Sequence, residues 1–248
     1  MDNILDSESS LGKILGEISF DEKLPKSTQA YEIIRTAIIS MRLMPGTVIL
    51  EKNICQYLGI SRTPLREALL ELASERLIMV KPGGGTFVTK ILLSDVLQGQ
   101  LIRDTMEMRL LRLAARTYTA QFESDFELAL FKQRSAAKRK NAEEFFSLDN
   151  EFHQLICRCS GFPEAWRVIH NATGQLDRVR RFAFPLQENY DEVLKEHESI
   201  YNFIRMNDVE NAAAVFQVQL DATFPTLEII SSNHPELIEG SASIDDIR

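Results

Sequence analysis

Two sets of residues have types and spacings that could do chemistry. Arg62 and Arg66 are four apart, so on a helix they share one face. An arginine fork on such a face can read guanine through bidentate bonds to O6 and N7; the bland alternative is a solvated face paired to a nearby Glu. Asp149 and His153 repeat the spacing and point a carboxylate and an imidazole the same way, a workable geometry for two ligands of one divalent metal. A polar cluster hydrogen-bonded inside a ligand cavity satisfies the same pattern. Arg103 and Glu107, again four apart, can close a salt bridge on one helix. Cys55, Cys157 and Cys159 are odd in number and too few for a disulfide scaffold, and the C-x-C pair has no second pair to complete a zinc knuckle, so it reads as buried core. No nucleophile–base set, cofactor fingerprint or H-E-x-x-H helix is present, which argues against an enzyme.

The elements that must position these residues follow from patterning. The 248 residues carry 28 Lys and Arg against 36 Asp and Glu, net −8. Between Lys26 and Lys90 nine basic residues face five acidic ones, so a basic module of +4 precedes a remainder that carries −12. No apolar run is long enough to span a bilayer and the acidic start is unlike a signal peptide, so a cytoplasmic protein without membrane contact is expected. Ala30, Ile33, Ile34, Ala37, Ile38 and Met41 mark a first amphipathic helix, which Met44-Pro45-Gly46 turns away. Ile54, Cys55 and Leu58 mark a second, ended by Gly59; Leu65, Ala68, Leu69 and Leu72 mark a third, with Pro64 tolerated in its first turn and Ser61 or Thr63 as cap. Ile78 to Val80 and Thr86 to Val88, around Lys81-Pro82-Gly83-Gly84-Gly85, read as a β-hairpin. That loop is no NTPase phosphate loop, lacking GKS or GKT. Three helices and a hairpin in this order predict a winged helix-turn-helix.

Residues Ala30 to Val88 resemble the DNA-binding domain of the GntR family of bacterial transcription regulators. The resemblance is carried by Met44-Pro45-Gly46, by Leu58-Gly59-Ile60-Ser61-Arg62-Thr63-Pro64-Leu65-Arg66-Glu67-Ala68-Leu69, and by Pro82 to Val88. It implies that Arg62 and Arg66 contact bases in the major groove. Ser61 and Thr63, at the helix start with Pro64, would meet phosphate or simply cap. Lys52 stands where relatives often carry Arg and is expected on phosphate. The glycines Gly83, Gly84 and Gly85 would let a wing approach the minor groove, with Lys81 beside a phosphate, unless they make only a flexible hairpin.

Beyond Lys90 the patterns are helical: Ile102, Met106, Leu110, Leu113 and Ala114; Phe145, Leu148, Phe152, Leu155 and Ile156; Leu194, Ile200 and Ile204; Ala212, Val215, Phe216 and Leu220. Six or seven helices over Leu93 to Ser231 predict an all-α antiparallel bundle able to enclose a ligand, and hence a mainly α protein overall. Arg103-Asp104-Thr105-Met106-Glu107, Asp149-Asn150-Glu151-Phe152-His153, and Glu196-His197 with Asn207-Asp208 are similar to the FCD effector domain of the FadR-like GntR subgroup. The resemblance implies that His197 joins Asp149 and His153 in a metal site. Relatives complete it with a third His where this chain has Gln219, so zinc or nickel would bind less well or not at all. It also implies that Arg103 faces the cavity and clamps the carboxylate of a small organic acid, a salt bridge to Glu107 being the other possibility. His170 and His234 fall off the ligand pattern; Trp166, Phe182 and Phe184 read as core or pocket wall.

The expected organisation is an unassigned arm over 1–25, a winged helix-turn-helix over 26–91, an effector-binding and dimerisation domain over 92–231, and a poorly ordered C-terminal tail over 232–248. The expected activity is that of a homodimeric regulator, most often a repressor in such families, on a pseudo-palindromic operator. Two competitors remain at this point: a regulator whose effector is the metal ion itself, and an iron enzyme built on Asp149, His153 and His197.

Overall fold

A computed structural model describes the backbone of residues 8–16, 18–187 and 190–240, and the side chains of these except 8–10 and 183–187. The chain divides into two compact units: residues 1–93 with 235–241, and 94–234 with 242–248.

The first unit is a winged helix-turn-helix. The apolar stripe read around Ala30 becomes α2 (Lys26–Ile39), with Ala30, Ile34, Ala37 and Ile38 fully buried. In the N-terminal arm, α1 (Glu8–Leu15) buries Leu11 and Leu15, and the Tyr57 hydroxyl donates to the carbonyl of Gly16. After the turn at Met44 to Gly46, strand β1 (Val48–Ile49) leads into α3 (Glu51–Leu58). Gly59 stops α3 with φ of 63°, the left-handed cap that glycine adopts without a Cβ penalty, and α4 (Arg62–Ser74) follows. Pro64 sits in the first turn of α4, where no intrahelical acceptor is missed. Strands β2 (Ile78–Lys81) and β3 (Gly85–Val88) form the hairpin, with Lys81 opposite Gly85. Gly83 and Gly85 have φ of 70° and 94°, so the wing tip needs glycine there.

Three details depart from the sequence reading. β1 pairs antiparallel with β3 and makes a three-stranded sheet in the order β1-β3-β2. Ser61 occupies the N-cap position of α4 but makes no side-chain cap bond, because its exposed hydroxyl is not turned onto the first-turn amides. The stretch after residue 231 is no loose extension as far as residue 240: β4 (Ile91–Leu92) pairs in parallel with β5 (Ile238–Glu239), and Leu237 is buried. Residues 241–248 of that tail lie outside the described residues.

The second unit is a helical bundle. Its first helix runs from α5 (Leu93–Ile102) through a π turn at Arg103–Glu107 into α6 (Met108–Thr117). α7 (Glu123–Lys138) and α8 (Ala142–Cys159) pack side by side across a short turn, with the Asn141 side chain capping α8 by accepting from the amide of Glu144. α9 (Ala165–Ala172), α10 (Gly174–Gln187), α11 (Tyr190–Arg205), α12 (Val209–Asp221) and α13 (Thr223–Asn233) complete the described helices. They outnumber the six or seven expected, because the chain breaks at Gly161 (φ 87°) and again at Ala222, where α12 gives way directly to α13. Phe126, Phe152 and Phe216 anchor the core; Phe126 stacks on Tyr201 at 4.8 Å and meets Phe152 edge-on at 5.7 Å. Burying each such ring is worth about 1.5–3 kcal/mol. Cys157 and Cys159 lie in this interior as free thiols, and burial pushes them up to about 12 and 11, away from reactivity.

Candidate functional site

In the first unit, the packing of α2 against α4 and of α3 against α4 buries Leu65, Ala68, Leu69 and Leu72 and turns the opposite face of α4 outward. Ser61, Arg62, Thr63 and Arg66 are all exposed on this face, with Pro64 partly so. Arg66 is held by Glu51 at the start of α3, Nε to Oε2 3.2 Å, so its partner comes from the neighbouring helix and not from its own. Lys52 is exposed one residue further along α3. At the wing, Lys81 places its ammonium 5.1 Å from the centroid of the Phe87 ring, a cation–π contact that steadies the side chain and leaves its charge exposed beside Gly83, Gly84 and Gly85.

The second unit gathers Arg103, Asp149, His153 and His197 into one buried cluster, each 3% exposed or less. The π turn brings Arg103 and Glu107 together: Arg103 Nε donates to Glu107 Oε1 at 2.6 Å. Glu107 Oε2 lies 2.7 Å from His153 Nδ1, within ion-pair distance though off the straight hydrogen-bond line. Burial by itself would raise the Glu107 carboxyl; Arg103 and His153 overcome it and hold the group far below the usual carboxylate range. α8 supplies Asp149 and His153, with Asp149 Oδ2 3.8 Å from His153 Nε2. α11 supplies His197, whose ring stacks on Phe152 at 4.0 Å and whose Nδ1 lies 2.9 Å from Gln133 Oε1.

That contact has a chemical consequence. With Nδ1–H donating to Gln133, His197 Nε2 carries its lone pair towards Asp149 Oδ1, 3.6 Å away, and has no hydrogen-bond partner. Two acceptors thus face each other in a buried interior. Burial pushes His197 down to about 3 against the pull of Asp149, so no proton relieves the arrangement near neutral pH. Gln219 on α12 lies close enough to His197 to act on the imidazole; its amide nitrogen donates to Glu196 at 3.4 Å, and its buried oxygen has no partner. The ligand atoms of Asp149, His153 and His197 lie within 4.8 Å of one another, a spacing at which the three could share one divalent ion.

Two cations already border the cluster. Arg180 on α10 bonds Asp149 Oδ2 and also reaches Asp177 at 3.0 Å, and a terminal nitrogen of Arg103 stands 3.4 Å from His153 Nε2. Burial would raise the Asp149 carboxyl, but Arg180 and then the two histidines lower it on balance, so it is ionised. Arg180 and Gln133 were missed as members of the site, and Glu107 was read as a partner of Arg103 but not of His153. Arg180 stands on a helix that also carries Arg178 and Arg181, so nothing in its sequence singled it out, and nothing local marked Gln133. Trp166 packs partly buried beside Ile169, His170 and Cys157, and Phe182 meets His234 edge-on; the Phe184 side chain lies outside the described residues.

A winged helix-turn-helix with its basic helix face free, followed by a helical bundle holding a buried charged cluster, defines a DNA-binding regulator with a sensing domain. Comparison with known proteins places it. Residues 26–88 match the model of the bacterial regulatory proteins of the gntR family, and residues 100–222 match the FCD domain. The chain is 33% identical over 192 residues to the HTH-type transcriptional repressor RspR of Escherichia coli, covering 77% of this chain and 84% of that protein. It is 31% identical over 220 residues to an HTH-type transcriptional regulator of Streptomyces ambofaciens, covering 88% and 92%. Among solved structures, Escherichia coli McbR/YncC matches with a TM-score of 0.73 at 20% identity, covering 83% of this chain and 98% of that one, which bears on the fold alone. The chain belongs to the GntR family of transcription regulators and carries an FCD domain. Its family and relatives are regulators, so the iron-enzyme reading of Asp149, His153 and His197 is set aside. No described helix is long and apolar enough to cross a membrane.

Proposed function

We propose that this protein is a homodimeric repressor of a pseudo-palindromic operator, released or tightened by a small organic acid bound in the second unit. On DNA, Arg62 and Arg66 read base edges, while Lys52 on α3 and Ser61 and Thr63 at the start of α4, beside Pro64, contact phosphate. Lys81 with Gly83, Gly84 and Gly85 follows the minor groove as a wing. Glu51 pre-orients Arg66 and is displaced, or retained as a buttress, when the fork meets a base. The name of RspR, a repressor, supports the sign of the regulation.

The observation that carries the sensing role is the buried cluster with partnerless acceptors at His197 Nε2 and Gln219 Oε1. Asp149, His153 and His197, with the Gln219 amide oxygen in place of a third imidazole, would hold a divalent ion of the zinc or nickel kind, which would supply open positions for a carboxylate. The residues of the chain do the rest. Glu107 orients His153, Gln133 orients His197, Arg180 keeps Asp149 ionised, and Arg103 offers its guanidinium to the acid in exchange for part of its bond to Glu107. Operator affinity changes only as far as the acid binds the two states of the dimer differently.

The test of the DNA-binding part is fluorescence anisotropy with DNA from the protein's own upstream region at two salt concentrations. Each of Arg62→Ala and Arg66→Ala is expected to cost about 1–3 kcal/mol of discrimination, and Lys52→Ala to weaken all sequences alike and flatten the salt dependence. Equal binding of random DNA by all four proteins would contradict it.

A further inference from the structure

The joint between α4 and the wing is a strained turn held from two sides. α4 ends in a left-handed cap: the Leu77 amide donates to the Leu72 carbonyl at 3.1 Å and the Arg76 amide to the Ala73 carbonyl at 3.0 Å, with Arg76 at a φ of 58°. Glycine usually fills that position, because a Cβ there is costly. A side-chain-bearing residue persists in such a conformation only where its surroundings over-determine it.

On one side of the turn stands Glu75, the C-cap residue of α4. Its carboxylate is buried and takes a donor on each oxygen, the Tyr31 hydroxyl on Oε1 and Arg35 Nε on Oε2 at 2.9 Å. Both donors are buried on α2, one helical turn apart, so α2 fixes the end of α4. On the other side stands Thr89, the first residue after β3. Its hydroxyl donates to the Arg76 carbonyl at 2.7 Å with that of Leu77 3.1 Å away, and its amide donates to the Leu77 carbonyl at 3.0 Å. Arg76 and Leu77 are the whole step from the end of α4 to Ile78, where β2 begins, so this bonding ties the base of the hairpin to the helix.

Two readers on one body gain from a stiff connection. Once one has bound, the other meets the duplex at an effective concentration set by the reach and stiffness of the link. Tyr31, Arg35 and Glu75 are buried and Thr89 lies at the base of the hairpin, away from the Gly83–Gly85 tip, so their effect on DNA runs through the joint.

We propose that Thr89, and Glu75 with Tyr31 and Arg35, are positioning residues for operator binding. They fix the angle between α4 and the hairpin, so that Arg62 and Arg66 on one side and Lys81 on the other engage one duplex together. This rests on the DNA contacts proposed above and adds what holds them in register.

The experiment is fluorescence anisotropy of the full chain with operator and with random DNA, and circular dichroism melts to check folding. Thr89→Val keeps the shape and removes the hydroxyl; it is expected to weaken operator binding about tenfold and random binding less than about twofold. Thr89→Ser, which restores the hydroxyl, should bind the operator as the wild type does, and Tyr31→Phe should follow Thr89→Val at about threefold. Lys81→Ala is then read in two backgrounds. It should weaken operator binding about fivefold in the wild type but less than about twofold in Thr89→Val, because a wing already out of register has little left to lose. Losses that simply multiply, or a Thr89→Val protein with a lower melting temperature and wild-type operator affinity, overturn the positioning role while leaving the DNA contacts standing. Lys81→Ala without effect in the wild type overturns the wing contact and the positioning role together, as does a wild-type chain that binds no fragment better than random DNA.

Discussion

Glu107→Gln tests the electrostatics of the sensing cluster because it keeps the shape and removes the charge. In the folded unit Arg103 and Glu107 have side chains only 3% and 4% exposed, and the carboxylate accepts from the Arg103 guanidinium at 2.6 Å and lies 2.7 Å from Nδ1 of the His153 ring. A charge that loses its nearest counter-ion at such a depth is poorly compensated by the more distant Asp149 and Asp177, so the variant should be less stable by about 3–5 kcal/mol. For a unit of this size that corresponds to a fall of roughly 10 °C in melting temperature. The stranded guanidinium should then accept an external anion, so added acetate or formate should raise the melting temperature of Glu107→Gln more than that of the wild type. The paired replacement Arg103→Met with Glu107→Leu removes both charges and should recover most of the loss. Urea unfolding and thermal melts followed by circular dichroism give all three numbers. A loss below about 1 kcal/mol for the single variant, which is the size of an exposed pair, or an equal response of both proteins to acetate, would refute the buried-pair reasoning.

Three further outcomes follow from the same geometry. His197 is held neutral down to about pH 3, whereas the unfolded chain protonates near 6.5. Between these values the unfolded state binds the extra proton, so stability should fall by about 1.4 kcal/mol per pH unit as the pH drops below 6.5. Glu107 and Asp149, both held below their ordinary values, add their own loss only once the pH nears 4, while Glu32, Asp104 and Glu196, raised by burial, take up protons earlier in the folded state and offset part of the histidine's loss; the difference between wild type and His197→Asn in urea titrations between pH 6.5 and 4.5 therefore reports His197. Gln219→His supplies the third imidazole that this chain lacks and should tighten zinc or nickel binding by about tenfold or more in competition with a chelator; no change would mean that Gln219 does not face the ion. Gly59→Ala meets nothing within 4 Å, yet its φ of 63° is costly for an L residue. A loss of about 1–2 kcal/mol is expected in thermal melts, from backbone conformation alone.

Much of the first unit was legible because its punctuation is local. Gly59 stops one helix, Pro64 opens the next, and the glycines of the wing fix the hairpin, each through backbone preferences that need no tertiary partner. The strands β1, β4 and β5 were illegible for the opposite reason: two residues show no alternation, and each exists only because a distant strand supplies its hydrogen bonds. Glu51 is a similar case, since its bond to Arg66 crosses from one helix to another. In the second unit the spacing of Asp149 and His153 put two donors on one face, and the family resemblance added His197, Gln219 and Arg103. What no pattern could give was the support around them. The π turn at Arg103–Glu107, the seating of His197 by Gln133 and Phe152, and the arrival of Arg180 from α10 are all decided by packing between helices far apart in sequence.

The central claim is that the cluster around Asp149 and His197 controls the DNA-binding face. Its most direct test is operator affinity by fluorescence anisotropy, with and without zinc or nickel and a panel of small carboxylic acids, for the wild type and for Asp149→Asn. At least one acid should change the wild-type affinity by about fivefold or more, the range of ordinary allosteric coupling, and the same acid should leave Asp149→Asn unaffected while its operator affinity without ligand stays intact. An operator response that survives in Asp149→Asn, or no response to any combination of metal and acid, would contradict the claim.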